Sequence, residues 1–376
     1  NTLKFGNGEW YGKKDTILAY NDESSNYKPL PFNFSRASSA TRVNKDGLIE
    51  TVGSGQPRVD YLNDSNGALK LEPSRTNLVT YSEDFSQWSQ NNVTLESGYL
   101  APDGTNNAYK VSGDSTSSLT FSLGLSSTDT RTIWARTISG SGQVNLTSHN
   151  NNTNNLFTIT EQWQRFEVNG TTSSSGQAFF YAVDFRGSST LTEVVLWGAQ
   201  AEAGSYATSY VPTQGSTVTR LADVCNNGAN EQVINSTEGV LYAEISALSN
   251  DLSSRIISLS DGTNNNRIHM FYFSQSNDLA VNYRVGGSTV VSFVADLTDI
   301  TNLSKVAFKW ESGNFKMYVD GVLIDTDSNT TMLPSDTLNT LSFSQADGNF
   351  DFYGKCKDLR VYNTALSDSE LQALTT

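Results

Sequence analysis

The sequence predicts an all-β protein: a β-rich N-terminal platform, two antiparallel β-sandwiches after it, and one short helix at the C-terminus. Three observations predict this. Short runs alternate apolar and polar residues with period two, as in Gln164-Arg165-Phe166-Glu167-Val168 and Leu279-Ala280-Val281-Asn282-Tyr283-Arg284-Val285, the pattern of a strand with one wet face. Pairs such as Asn66-Gly67 and Asp320-Gly321 stand between the runs, and they tolerate the positive φ that a tight hairpin turn demands. Helix-start chemistry is well marked at Ser367-Asp368-Ser369-Glu370, where Ser367 can bond the Glu370 amide while Glu370 reaches back.

Residues 1–77 read as the platform. Turn signals at Asn7-Gly8, Lys45-Asp46-Gly47 and Ser65-Asn66-Gly67 punctuate extended pieces, and Pro29, Pro31 and Pro57 add irregularity. So turn-rich a segment buries little core by itself. Its Phe34, Arg36, Arg42, Arg58 and Arg75 suit a covering partner or sister subunit, which predicts an attachment or assembly role. Residues 78–222 carry the strands of the first sandwich, among them Ser118-Leu119-Thr120-Phe121-Ser122-Leu123, Arg131-Thr132-Ile133-Trp134-Ala135-Arg136 and Glu193-Val194-Val195-Leu196-Trp197, with a loop over the Asn-rich stretch from His149 to Asn155. Residues 223–236 are polar and aperiodic and read as a linker. Residues 237–376 hold the second sandwich, which is expected to fold alone. Leu366, Leu371 and Leu374 give its terminal helix one apolar stripe to lay on a sheet.

Composition narrows the function. At 376 residues the chain is long enough for two or three domains. Charged residues are 17% and aromatics 11%, with 16 Tyr and 18 Phe, so core material is ample and disorder is excluded. A net charge of −14 gains nothing from a polyanion, which argues against nucleic acid as a partner. No run of 18 apolar residues occurs, which argues against membrane insertion. The start, Asn1-Thr2-Leu3-Lys4-Phe5, has neither an initiator Met nor an apolar signal core, as a trimmed, processed or unresolved terminus would. Two cysteines, Cys225 and Cys356, are too few for a disulfide framework or a zinc cluster and read as free thiols.

Two stretches resemble known groups. Phe315-Lys316-Met317-Tyr318-Val319-Asp320-Gly321, with the closing Leu359-Arg360-Val361-Tyr362-Asn363-Thr364-Ala365-Leu366-Ser367-Asp368-Ser369-Glu370-Leu371, resembles laminin-G-like domains of the concanavalin-A-like lectin superfamily. Upstream, Phe34-Ser35-Arg36-Ala37-Ser38-Ser39-Ala40-Thr41-Arg42, Leu71-Glu72-Pro73-Ser74-Arg75-Thr76-Asn77-Leu78, Tyr81-Ser82-Glu83-Asp84-Phe85, Ala101-Pro102-Asp103-Gly104-Thr105, Trp197-Gly198-Ala199-Gln200 and Thr208-Ser209-Tyr210-Val211-Pro212-Thr213 occur in this order. That series resembles structural proteins of tailed bacteriophages, especially those of Bacteroidetes hosts. The resemblances imply two jelly rolls, the first carbohydrate-binding-module-like and the second lectin-like. They also imply a virion fibre or spike that is commonly a trimer.

Hydrolysis of a glycan needs two carboxylates about 5–10 Å apart; no Glu-x-Asp-x-x-Glu strand occurs, and the acidic group Asp320, Asp325 and Asp327 sits in and after a hairpin. This predicts no enzyme and no catalytic residues. His149 in its loop and His269 in a strand lack a nucleophile elbow and read as structural. Calcium is the one cofactor to consider, at Asp347, Asn349 and Asp351 around Gly348. Trp134, Trp163, Trp197 and Trp310 lie in strands or motifs and suit cores. The candidate sugar-binding residues are therefore polar and aromatic positions beside loops: Asn264, Asn265, Arg267, Tyr272, Asn282, Tyr283 and Arg284.

The leading expectation is a non-enzymatic virion protein, a head or tail fibre or spike, displaying lectin-like domains to a host cell-surface glycan and held by other virion proteins as a homo-oligomer. Several weak sites on one particle gain avidity without new contacts. The alternatives are a bacterial secreted or cell-surface carbohydrate-binding protein and a purely structural capsid decoration.

Overall fold

A computed structural model describes residues 32–123, 129–148, 155–171, 179–273 and 275–376, together with the backbone of four strands upstream. The secondary structure is strand nearly throughout, with Asp368–Thr375 the one α-helix among the described residues. The chain forms two compact units. One comprises Asn1–Ser39, Val52–Pro73 and Ala222–Thr376, and the other Ala40–Thr51 and Ser74–Leu221.

In the first unit a five-stranded sheet runs in the order Ser288–Asp296, Asp278–Val285, Arg267–Tyr272, Arg255–Ser260, Thr340–Ser342. A larger antiparallel sheet takes Val322–Asp327, Phe315–Val319, Ser304–Glu311, Glu238–Ala247, Gly354–Tyr362, Ala68–Leu71 and Arg58–Asp60 in turn. Alternate residues of both sheets share one buried cluster, including Ile257, Met270, Val281 and Phe293 from the first and Leu241, Phe308, Met317 and Leu359 from the second. The hairpin at Asp320-Gly321 has φ of 47° and 81°, and Val319 pairs with Val322 across it. The terminal helix begins in a complete capping box, and Leu371, flanked by Leu366 and Leu374, packs on Val240, Tyr242, Ala307 and Tyr318.

The division of the chain differs from the three-segment reading. Phe32, Phe34, Val59, Leu69 and Leu71 lie in the same core as residues 237–376, so those later residues do not enclose that core by themselves. Large apolar side chains are worth roughly 1.5–3 kcal/mol each on burial. Five of them approach the whole stability of an ordinary domain, about 5–15 kcal/mol. The expected linker is structured too. Val224–Asn226 pairs with Asn33–Ser35, and Asp223 and Cys225 are buried. Asp223 accepts from Arg36 at 2.9 Å and also pairs with Arg58, which reaches Glu72 at 2.6 Å. Burial opposes charge on Arg58, but Glu72 and Asp223 hold its guanidinium above the ordinary value. These arginines were read as awaiting a partner; their partners are in the same unit. Composition hid this, because a polar stretch can be a buried ion-pair network as easily as a linker. Cys225 and Cys356 are both free and buried. The Asn7-Gly8 turn and residues 149–154 of the Asn-rich loop lie outside the described residues.

The second unit is a sandwich of two five-stranded antiparallel sheets. Ser89–Asn91, Ser118–Ser122, Phe179–Asp184, Gly142–Ser148 and Leu156–Ile159 make one; Thr94–Tyr99, Ala108–Ser112, Glu193–Ala203, Asp129–Arg136 and Gln164–Thr171 make the other. Val111, Leu119, Ile133, Phe180 and Leu196 are among the residues buried between them. Several of the short motifs act as scaffold here. Asn77 donates to the carbonyls of Ala199 and Val211, and Gln200 accepts from the Val211 amide at 2.7 Å. Glu202 accepts from Thr208 through both backbone and hydroxyl. Gly198 has φ of 66° beside the Trp134 ring, where an added Cβ would sit 3.1 Å from Cδ1, so the Trp-Gly-Ala-Gln motif marks an irregularity in the strand. Trp197 and Trp310 are buried; Trp134 and Trp163 are half-buried against a small cluster that includes Trp197.

Candidate functional site

The outer face of the five-stranded sheet is built by strand parity. Successive side chains point to opposite faces, so Ile268, Met270, Tyr272, Val281 and Tyr283 enter the core while Arg267, His269, Phe271, Ala280, Asn282 and Arg284 face outward. Antiparallel register sets the outward residues in rows. Ser258, His269, Asn282 and Ser292 lie side by side, and so do Ser260, Arg267 and Arg284.

Parity corrects two of the expected sugar-binding residues. Tyr272 is buried and donates its hydroxyl to the Ile245 carbonyl; Tyr283 is buried and its hydroxyl accepts from the Leu333 amide. Neither offers a ring to a ligand. Asn264, Asn265, Arg267, Asn282 and Arg284 are brought together on the outer face and its adjoining loop. Arg267 donates to the Asn264 carbonyl at 3.0 Å and Arg284 to the same oxygen at 3.5 Å, while Arg284 Nε donates to Gly287. The Cβ position at Gly287 lies 3.4 Å from the Asn265 side chain. The two guanidiniums thus converge on one carbonyl oxygen, and neither pairs with a carboxylate. Burial and the charge of Arg284 hold the Arg267 pKa below its ordinary value.

His269 is the residue the sequence reading passed over. It is 2% exposed, and burial, reinforced by Arg267, lowers its pKa to about 3, so the ring is neutral at pH 7. Among the described residues its Nε2 has no hydrogen-bond partner, nor do Asn282 Oδ1, Asn264 Oδ1 and Arg267 Nε. Buried polar atoms are ordinarily satisfied, so these four shielded atoms depart from the usual pattern beneath the arginine pair. The signal was present in the sequence: 267, 269, 282 and 284 share one face by parity, whereas 272 and 283 cannot.

The loop proposed for calcium borders this face and spends its oxygens otherwise. Asp347 accepts from the amides of Asn264 at 2.7 Å and Gln345 at 3.2 Å and from the Asn349 backbone. Asp351 accepts from the Tyr353 hydroxyl, and burial raises its pKa. Among the described residues no three acidic, His or Cys side chains gather in a metal-holding group. Asp320, Asp325 and Asp327 each accept from a backbone amide in or beside their hairpin. His149 lies outside the described residues.

A second concavity in this unit, about 350 Å³, is lined by Tyr242, Glu244, Lys305, Lys357, Asp358 and Arg360. Its charges are largely self-paired, Arg360 with Asp358 and Lys357 with Asp64 and Glu244.

With this geometry in hand, residues 229–372 match the family model of the concanavalin A-like lectin/glucanases superfamily. That match falls within the first unit. No curated protein matches the sequence. Among solved structures the chain is similar to the CBM40 module of the Ruminococcus gnavus IT-sialidase bound to α2,3-sialyllactose, at 17% identity and a TM-score of 0.34 over 40% of this chain and 94% of that one. It is similar to domain 4 of the Geobacillus stearothermophilus arabinanase AbnA in complex with arabinotriose, at 15% identity and a TM-score of 0.33 over 46% and 84%. A heptameric SAP-like pentraxin from Limulus polyphemus is similar at 15% identity and a TM-score of 0.31 over 38% and 71%. Among the described residues no helix is long and apolar enough to cross a membrane.

Proposed function

We propose that this chain is a non-enzymatic, surface-displayed glycan-binding protein whose lectin unit takes an acid-bearing sugar on the outer face of its five-stranded sheet. The convergent Arg267 and Arg284 carry the reading: two adjacent guanidiniums with carbonyl partners only, in a chain of net charge −14. A planar guanidinium matches carboxylate or sulfate with paired hydrogen bonds. The half-buried Asn282 beside them then serves sugar hydroxyls, and neutral His269 packs beneath the face without adding charge. The ordered motif series supports display on a phage fibre or spike, with a trimer and other virion proteins as its assembly; a bacterial surface protein would use the same face in the same way. The test is a solution binding panel of acidic probes (oligogalacturonate, sialyllactose, chondroitin sulfate) and their neutral counterparts, with reducing ends assayed in parallel. Acidic probes should bind, Arg267→Ala with Arg284→Ala should weaken them by about tenfold to a hundredfold, and no reducing ends should appear. Equal binding by the double variant overturns the site, and turnover overturns the non-enzymatic reading.

A further inference from the structure

The second unit has a cleft of about 600 Å³ between its 212–214 segment and the strands Thr94–Tyr99 and Ala108–Ser112. That volume lies within the roughly 300–1,000 Å³ of small-ligand sites. The residues that matter in its lining are Glu83, Asp84, Asn106, Asn107, Tyr109 and Gln214, and among the described residues no Lys or Arg lines it.

These groups are held in place before any ligand arrives. Glu83 accepts from the Tyr210 hydroxyl at 2.9 Å and from Asn107 Nδ2 at 2.8 Å. Asn107 in turn accepts from the Trp197 indole at 2.9 Å, which fixes its amide orientation. Tyr109 donates to Asp84 at 3.1 Å and stands edge-on to Phe85 with ring centroids 5.8 Å apart, so its ring plane is set. Asp84 is also the N-cap of the short turn Phe85–Gln87 and accepts from Ser86. Asp84 Oδ1 already accepts three hydrogen bonds, whereas each Glu83 oxygen accepts one and Asp84 Oδ2 accepts only from Gln87 at 3.4 Å, so acceptor capacity remains on Glu83 and on Asp84 Oδ2.

We infer that this cleft is a second saccharide site, selective for a neutral, hydroxyl-rich ligand. Carboxylate and amide acceptors take sugar hydroxyl donors, and a half-buried Tyr109 ring gives a flat apolar wall for the C–H face of a pyranose. Two carboxylates with no cation beside them repel uronates, sialic acids and sulfates. Burial, with the nearby Asp103, raises the Glu83 pKa. The inference does not depend on the arginine face, because the lining shares no residue with it.

The experiment uses the full chain carrying Arg267→Ala and Arg284→Ala, titrated with laminarihexaose, xylohexaose and mannohexaose by calorimetry, and with calcium chloride alone. At least one neutral hexasaccharide should bind, and Asn106→Arg, at an exposed cleft position, should weaken it by about tenfold or more without moving the unfolding midpoint. Glu83→Gln keeps the side-chain shape but exchanges one acceptor oxygen for a donor, and should weaken binding by a smaller factor. Failure of all three neutral probes overturns the inference, as does binding that Asn106→Arg leaves intact. Calcium binding to the cleft without any saccharide binding overturns it equally.

Discussion

The arginine face of the lectin unit and the carboxylate cleft of the second unit are built from the same kind of antiparallel sheet and differ in how their polar groups are left. On the arginine face, His269 Nε2, Asn282 Oδ1, Asn264 Oδ1 and Arg267 Nε have no partner among the described residues, and the charge is positive. In the cleft, Glu83, Asp84 and Asn107 are already tied to Tyr210, Tyr109 and Trp197, and the charge is negative. A face with orphaned atoms gains most when a ligand completes it, because each orphan costs about 1–3 kcal/mol while it is empty. A cleft with satisfied groups gains from preorganisation instead. Opposite charge then divides the ligands between them.

The largest effect should come from the scaffold beneath one site alone. Asp223 ties Arg36 and Arg58 together inside the first unit, and removing one partner of a buried ion pair costs about 3–5 kcal/mol. Asp223→Ala should therefore lower the denaturant midpoint of the lectin unit and its acidic-probe binding, while the second unit keeps its own transition and its neutral ligand. Equal loss in both would mean that the two units unfold as one.

Excision should separate the sites outright. The Asp223 amide donates to the Glu72 carbonyl at 3.0 Å, so the chain leaves and re-enters the first unit at neighbouring points, the arrangement that tolerates domain insertion. A chain with residues 40–51 and 74–221 each replaced by a short Gly-Ser linker should keep acidic-probe binding, and residues 237–376 expressed alone should aggregate or melt without cooperativity. A cooperative, ligand-binding 237–376 fragment would show that Phe32, Phe34, Val59, Leu69 and Leu71 are dispensable to the core.

A smaller effect should appear with acid. His269 is held neutral with a folded pKa of about 3, below its ordinary 6.5, and the charged groups around it are Arg267, Arg284 and Asp347. The unfolded chain binds the proton first, so this contribution is complete above pH 6.5 and is lost as pH falls toward 3. The unfolding midpoint should drop over that window, and His269→Gln should drop less steeply; parallel slopes would remove His269 from the account. The smallest effect is the response to calcium. Asp347 and Asp351 bond separate partners, so chelation should leave acidic-probe binding unchanged, and a loss would place an ion in the 347–351 loop.

The sequence made the fold class readable because strand alternation, turn dipeptides and the capping box are local signals. The chain division was not readable, because Phe34 and Leu69 join residues 237–376 only through long-range pairing, and the charged stretch around Asp223 looks like linker until Arg36 and Arg58 are seen inside it. The candidate site was half readable. Asn264, Arg267, Asn282 and Arg284 stand where loop proximity put them, but choosing residues by type drew in Tyr272 and Tyr283 from the opposite face and left out His269. Counting by twos within each strand, Arg267 to His269 and Asn282 to Arg284, separates them from Tyr272 and Tyr283, and the register that aligns the two strands comes from the fold. The recognisable motifs carried less function than their order suggests: Asn77, Gly198 and Gln200 hold the second sandwich together, while Glu83 and Asp84 alone of the Tyr-Ser-Glu-Asp-Phe motif reach a cleft.

The central claim is that Arg267 and Arg284 together receive the acid group of a sugar. The most direct measurement is a crystal structure of the full chain with the tightest acidic oligosaccharide from the binding panel. The carboxylate or sulfate should lie between the two guanidiniums at charge-assisted distances of about 2.7–2.9 Å. A ligand bound elsewhere, with the arginines still turned to the Asn264 carbonyl alone, would contradict it.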